Sequence, residues 1–252
     1  MICLVDDSTL PQLRELALHR SVHACRIACL LDSYGLKYGF CSFWLQYDVD
    51  GRAVSAVSRY YSNVSVELTE ESDITELRQF LDAVGYDSIS AGEPLVSCGS
   101  TVTMRLEALK ASTAGCDKYI EYEPELSEVY SLLSDCRSEL AVPEYETFIL
   151  DMSHKIRHGT ALCTALRADG RLVSCAMTVA QSSVCAVIGA VVTLREYRGR
   201  GYGTACIQEL CRRLAGREIL IIREKDKNKE FYERAGFIEL NERKKENANP
   251  VL

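Results

Sequence analysis

Residues 184–237 read VCAVIGAVVTLREYRGRGYGTACIQELCRRLAGREILIIREKDKNKEFYERAGF, and three parts of that stretch make separate structural demands. Val184 to Thr193 is an apolar run rich in β-branched side chains and bounded by polar turns, which reads as a buried strand. Arg195 to Thr204 follows, with glycines at 199, 201 and 203 and arginines at 195, 198 and 200. Glycine accepts positive φ and close backbone approach, so successive N–H groups of such a loop can converge on one anion. The apolar periodicity that follows predicts a helix, whose N-terminus adds its own N–H groups to the cradle. Guanidinium forks supply the matching charge. Together these features predict a diphosphate site. No Gly-Lys-Ser/Thr follows, which excludes the P-loop pattern, and the glycine spacing is not G-x-G-x-x-G, which argues against a nucleoside triphosphate or NAD.

The loop Arg198-Gly199-Arg200-Gly201-Tyr202-Gly203 resembles the acetyl-CoA loop of the GNAT superfamily of N-acetyltransferases, Gln/Arg-x-x-Gly-x-Gly/Ala. After a strand from Glu218 to Arg223 comes Asn228-Lys229-Glu230-Phe231-Tyr232, then Gly236-Phe237, which resembles the family's N-x-x-x-Y helix and last strand. Each piece alone is weak, and their order and spacing make the resemblance specific. It implies a fold in which two strands, here Val184 to Thr193 and Glu218 to Arg223, splay apart around the pantetheine arm. It further implies acetyl-CoA as co-substrate, with backbone groups of Val191, Val192 and Thr193 on the pantetheine amides. The N–H groups of Arg198, Gly199, Arg200, Gly201, Tyr202, Gly203 and Thr204 would hold the diphosphate.

Upstream, the chain states one pattern twice. Asp50-Gly51-Arg52-Ala53-Val54-Ser55 and Asp169-Gly170-Arg171-Leu172-Val173-Ser174 each join two strand-like runs, Phe40 to Tyr47 with Ala53 to Tyr60, and Ala161 to Arg167 with Leu172 to Gln181. A third strand follows each hairpin, at Val64 to Leu68 and from Val184. Helical patterns precede each, one carrying Leu10, Leu13, Leu16, Ile27 and Leu31 and ending at Gly35, the others at 124–137 and 143–157. This predicts an internal duplication of one α/β unit.

The first copy departs from the second after its third strand, passing through Thr69-Glu70-Glu71-Ser72-Asp73 straight into a helix over 74–84 with Gly85 as its stop. Carboxylates there cap a helix well and repel a diphosphate. The expected organisation is a degenerate GNAT-like domain over 1–106, closed by a strand within 91–106, a linker over 107–116, and an acetyl-CoA-binding domain over 117–252. Each is an α/β domain with a mixed, mainly antiparallel sheet flanked by helices, and the polar tail from Arg243 is expected to fray.

Composition bounds the partners. The net charge is −7, and residues 1–126 hold 10 Lys and Arg against 19 Asp and Glu, so the basic excess lies in the half with the glycine loop. An acidic chain without a basic stripe is a poor nucleic-acid binder, and no apolar run approaches a membrane span. The twelve cysteines contain no C-x-x-C pair and sit mostly in apolar runs, as small hydrophobes do in a reducing, cytoplasmic compartment. His19 with His23, and His154 with His158, lack a completing ligand set, so no metal is expected. Acidic surface favours a cationic acceptor, a small-molecule or peptide amine such as a polyamine, an amino sugar or a lysine side chain; a homodimer is left open.

Acetyl transfer from a thioester to an amine needs a neutral amine, a polarised carbonyl and a proton for the departing thiolate. Tyr232 matches the family's tyrosine acid, and a phenol with a reference pKa of about 10 holds its proton at neutral pH. The plainer reading of Tyr232 is a helix tyrosine with its ring in the core and its hydroxyl at the surface. Asn228 matches a position that bonds the cofactor's amide or fixes the adjoining loop. Many family members carry a glutamate on the strand equivalent to Val184 to Thr193, which here contains no carboxylate. The base is then an ordered water chain or a carboxylate from elsewhere, with Glu121, Glu123, Glu146, Glu196 and Glu224 as candidates. The expected function is an N-acetyltransferase that moves acetyl from acetyl-CoA to a primary amine by direct attack in a ternary complex. The missing strand carboxylate and the degenerate first half motivate an alternative, a non-catalytic acyl-CoA sensor or scaffold module.

Overall fold

The computed structural model describes residues 1–96, 100–110 and 120–240. The chain divides into two units, Met1–Gly99 together with Ala180–Cys185, and the remainder from Ser100. The first contains β1 (Ile2–Leu4), α1 (Leu10–Leu16), α2 (Val22–Tyr34), β2 (Cys41–Tyr47), β3 (Ala53–Tyr60), β4 (Asn63–Leu68), α3 (Ile74–Val84) and β5 (Ser88–Ala91). The helical pattern that begins at Leu10 is two helices. Ser21 adopts extended φ/ψ and its hydroxyl accepts the Ala24 N–H, so a cap restarts the helix where apolar spacing alone suggests continuity.

The first sheet runs β1-β2-β3-β4-β5, antiparallel until β4 and β5, which pair in parallel across the α3 crossover. Strand alternation fills both faces. Phe43 and Leu45 join Leu13 and Ile27 of the first two helices, while Trp44 packs on a second cluster with Val57, Val66, Leu77 and Leu81. The Asp73 carboxylate accepts the N–H groups of Thr75 and Glu76 and occupies the start of α3. Asp73→Ala is expected to cost about 1 kcal/mol, read as a lower urea midpoint with an unchanged slope.

The second unit contains β6 (Thr101–Leu106), β7 (Ile120–Glu121), α4 (Leu126–Asp135), α5 (Tyr145–Arg157), β8 (Cys163–Ala168), β9 (Arg171–Gln181), β10 (Cys185–Thr193), a 3-10 turn (Arg195–Tyr197), α6 (Tyr202–Arg213), β11 (Glu218–Glu224), α7 (Lys229–Ala235) and β12 (Phe237–Glu239). Its sheet runs β12-β6-β11-β10-β9-β8-β7. From β7 to β11 the elements and their strand order repeat those from β1 to β5, as the two hairpin sequences predict.

One boundary expected from the sequence is corrected. Thr101–Leu106 does not close the first sheet; β5 does. The strand instead lies between β11 and β12, antiparallel to both, with Leu220 opposite Arg105 and Phe237 opposite Leu106. Met104 is fully buried in the second core, so the apolar face of this strand is satisfied there. The division therefore falls near residue 100 rather than after 106. Residues 107–110 follow β6 without regular structure. The rest of the expected linker, 111–116, and the tail from Arg243 lie outside the described residues.

Candidate active site

β10 is apolar and β-branched as the sequence predicts, but it is not a regular strand. Ala190 sits at φ 47, inside the left-handed region that residues with a Cβ rarely adopt. Such a residue re-aims the backbone that follows, here Val191, Val192 and Thr193, which line a cleft of about 710 Å³. The Val192 carbonyl accepts the Ser174 hydroxyl at 2.9 Å, and the Thr193 carbonyl accepts Arg198 Nε at 2.9 Å. The end of the strand is held from two sides.

The chain then turns through Arg195–Tyr197. Tyr197 donates its hydroxyl to Asp169 Oδ2 at 2.8 Å, and the guanidinium groups of Arg171 and Arg200 lie over its ring, 5.6 and 5.1 Å from the centroid. Gly199 and Gly201 both take positive φ, 77° and 82°, bringing the chain to the first residue of α6. Gly203 serves a different need: a Cβ there would come within 3.0 Å of Thr193 Oγ1 and 3.3 Å of the Phe231 ring. A larger residue there would require both side chains to shift by a few tenths of an ångström. No side chain caps α6, and its first turn holds no acid, so the N–H groups and partial positive charge of its N-terminus face the cleft without a resident anion. The matching helix of the first unit, α3, has Asp73 in that place.

The far wall is α7. Asn228 precedes it in the left-handed conformation, φ 60, which asparagine tolerates better than most residues. Its side chain makes no cap bond with the helix, and the residue lines the cleft. Tyr232 lines the same cleft from a largely buried position, 9% exposed. Burial raises its hydroxyl above the ordinary phenol value, and the nearby Arg223 opposes that shift. The loop before α7 is fastened by Arg223, whose guanidinium donates to the carbonyls of Glu224, Lys225 and Lys227 and to the Glu239 carboxylate of β12. Sequence reading missed this clamp, because an arginine ending a strand carries no mark of burial.

Thus Val191, Val192, Thr193, Arg198, Gly199, Gly201, Tyr202, Gly203, Thr204, Asn228 and Tyr232 line one cleft. Arg200 is not among its lining residues; its guanidinium bonds the Glu196 carbonyl and stacks on Tyr197. None of the five carboxylates considered as bases lines the cleft either. Glu121 is paired with Arg167, Glu196 with Arg171 and Glu224 with Lys227. Glu139, which the sequence did not single out, does line it, as do Lys110 and Arg234. Among the described residues no group of three or more His, Cys, Asp and Glu side chains could hold a metal ion. No helix among them is long and apolar enough to cross a membrane.

Residues 126–237, which include the strand with left-handed Ala190, the glycine loop and Tyr232, match the model of the acetyltransferase (GNAT) family. This stretch is a GNAT domain. The whole chain shares its fold with tandem GNAT structures. A tandem GNAT protein from the clavulanic acid biosynthesis pathway aligns over 95% of this chain and 95% of its own, at 14% identity and a TM-score of 0.57. A GCN5-related N-acetyltransferase from Sphaerobacter thermophilus covers 95% of this chain and 92% of its own, at 17% identity and TM-score 0.56. A Drosophila protein covers 94% and 95%, at 12% identity and TM-score 0.60. At these identities the likeness concerns fold alone. No curated protein matches the sequence. In the GNAT domain the open helix start and the cations beside it suit a ligand carrying a diphosphate. In the first unit β4 and β5 stay paired at four consecutive positions, Asn63 to Val66 against Ser88 to Ala91, which leaves no slot between them.

Proposed function

We propose that the protein transfers an acetyl group from acetyl-CoA to the primary amine of a small molecule or peptide, by direct attack in a ternary complex. The observation that carries this reading is the single cleft shared by the end of β10, the glycine loop with the uncapped start of α6, and Tyr232. Acetyl-CoA would supply the activated thioester. The N–H groups from Arg198 to Thr204 would hold its diphosphate, and the backbone from Val191 to Thr193 and Asn228 would flank its arm. As the N–C bond forms and the C–S bond breaks, the Tyr232 hydroxyl would give its proton to the departing sulfur, and the surplus proton of the amine would leave to solvent. The tyrosinate would take a proton back from solvent before the next turnover. Burial serves this role, since a hydroxyl raised above its ordinary value keeps its proton across the neutral range. The first unit lacks the loop and has no share in holding the cofactor. The ten described cysteines are free thiols, which supports a reducing, cytoplasmic setting.

The test has two stages. Calorimetry with CoA is expected to give a Kd on the order of micromolar, as for typical cofactor sites. Thiol release from acetyl-CoA is then expected to depend on an amine drawn from a panel of polyamines, amino sugars and lysine peptides. Absence of heat with CoA would remove the reading altogether. Binding without amine-dependent release would favour the sensor or scaffold alternative, to which the lack of any carboxylate on β10 lends support.

A further inference from the structure

Glu139 lies in the connection between α4 and α5 and is the one carboxylate among the described residues lining the cleft, where it pairs with Arg198. Its two oxygens both accept from Arg198 Nη2, at 2.7 and 2.9 Å. Arg198 is anchored at its other end by the bond from Nε to the Thr193 carbonyl. The guanidinium therefore stands at the glycine loop with its charge already answered by a carboxylate. That answer is easily withdrawn: the two side chains are 43% and 54% exposed, so solvent screens the pair. A diphosphate brings more charge than one carboxylate and meets the N–H groups of α6 at the same time.

We propose that Glu139 is a latch on Arg198 which the diphosphate of the cofactor must displace. The proposal rests on the CoA reading above and adds a competition to it: the carboxylate and the diphosphate share one guanidinium, so the free protein holds Arg198 in a paired state that cofactor binding has to open.

The full-length wild type, Glu139→Gln, Arg198→Ala and the double variant are titrated with CoA by calorimetry. Glu139→Gln is expected to bind CoA about 2- to 5-fold more tightly, the range an exposed ion pair commands. Arg198→Ala is expected to bind more weakly, and adding Glu139→Gln to it is expected to change nothing. A merely structural role for Glu139 would give the opposite sign. Weaker or equal CoA binding by Glu139→Gln, or the same gain in the Arg198→Ala background, overturns the latch. Failure of the wild type to bind CoA at all would instead refute the underlying function.

Discussion

Replacing Tyr232 by phenylalanine is expected to lower kcat about 100-fold or more, the range for removal of a general acid, while the Kd for CoA stays within about twofold. The separation of the two effects follows from where the side chain sits. Its ring packs edge-on against Phe231 and Phe237, at 5.1 and 6.2 Å between centroids, and phenylalanine preserves both contacts. Only the hydroxyl is deleted, so the wall of the cleft keeps its shape and the thiolate loses its proton donor. Steady-state rates with the best amine of the panel, beside calorimetry, check both halves. The pH profile gives an independent reading. A tyrosine raised by burial loses its proton only above the ordinary value near 10, so the wild type should keep its donor through the neutral range. An alkaline limb from Tyr232 should lie above that value and be missing in the variant. An unchanged kcat would place the acid elsewhere.

Gly236→Ala is expected to be the most damaging single methyl in the second unit. Gly236 ends α7 at φ 109, and a Cβ built there would stand 1.9 Å from the Ala108 carbonyl oxygen and 3.0 Å from its carbon. The obstacle is main chain, and it cannot step aside, because Glu107 N–H donates to the Gly236 carbonyl at 3.0 Å and β6 is hydrogen-bonded into the sheet just before it. Overpacking and a strained φ each cost roughly 1–3 kcal/mol. Together about 3–4 kcal/mol is expected, or a Tm lower by roughly 10 °C in a domain of this size. Gly199→Ala is the control: φ is positive there too, but nothing lies within 4 Å. Strain alone should cost it about 1 kcal/mol. Equal losses in the two variants, followed by thermal circular dichroism, would show that the contact with Ala108 does not govern the position.

The sequence by itself determined what is local. Apolar period, caps and turn glycines are properties of a few neighbouring residues, so the strand at 185–193, the glycine loop, the helix starting at Tyr202 and the repeated hairpins at Asp50-Gly51 and Asp169-Gly170 are all legible in the chain alone. Asn228 and Tyr232 were legible because they belong to a spacing, four residues apart. What only the tertiary structure decided is which segments become neighbours. The alternation in Thr101–Leu106 says that one face is buried but carries no statement of which sheet buries it, and the core around Met104 made that choice. Arg200 sits in the loop motif yet turns to Tyr197, because an aromatic face and a carbonyl were nearer partners than the cleft. Glu139 and Arg223 matter through Arg198 and through the loop at 224–227, contacts that span long or folded-back stretches of chain. Charge and packing act through space, and spacing along the chain records them only where the partners are close in sequence.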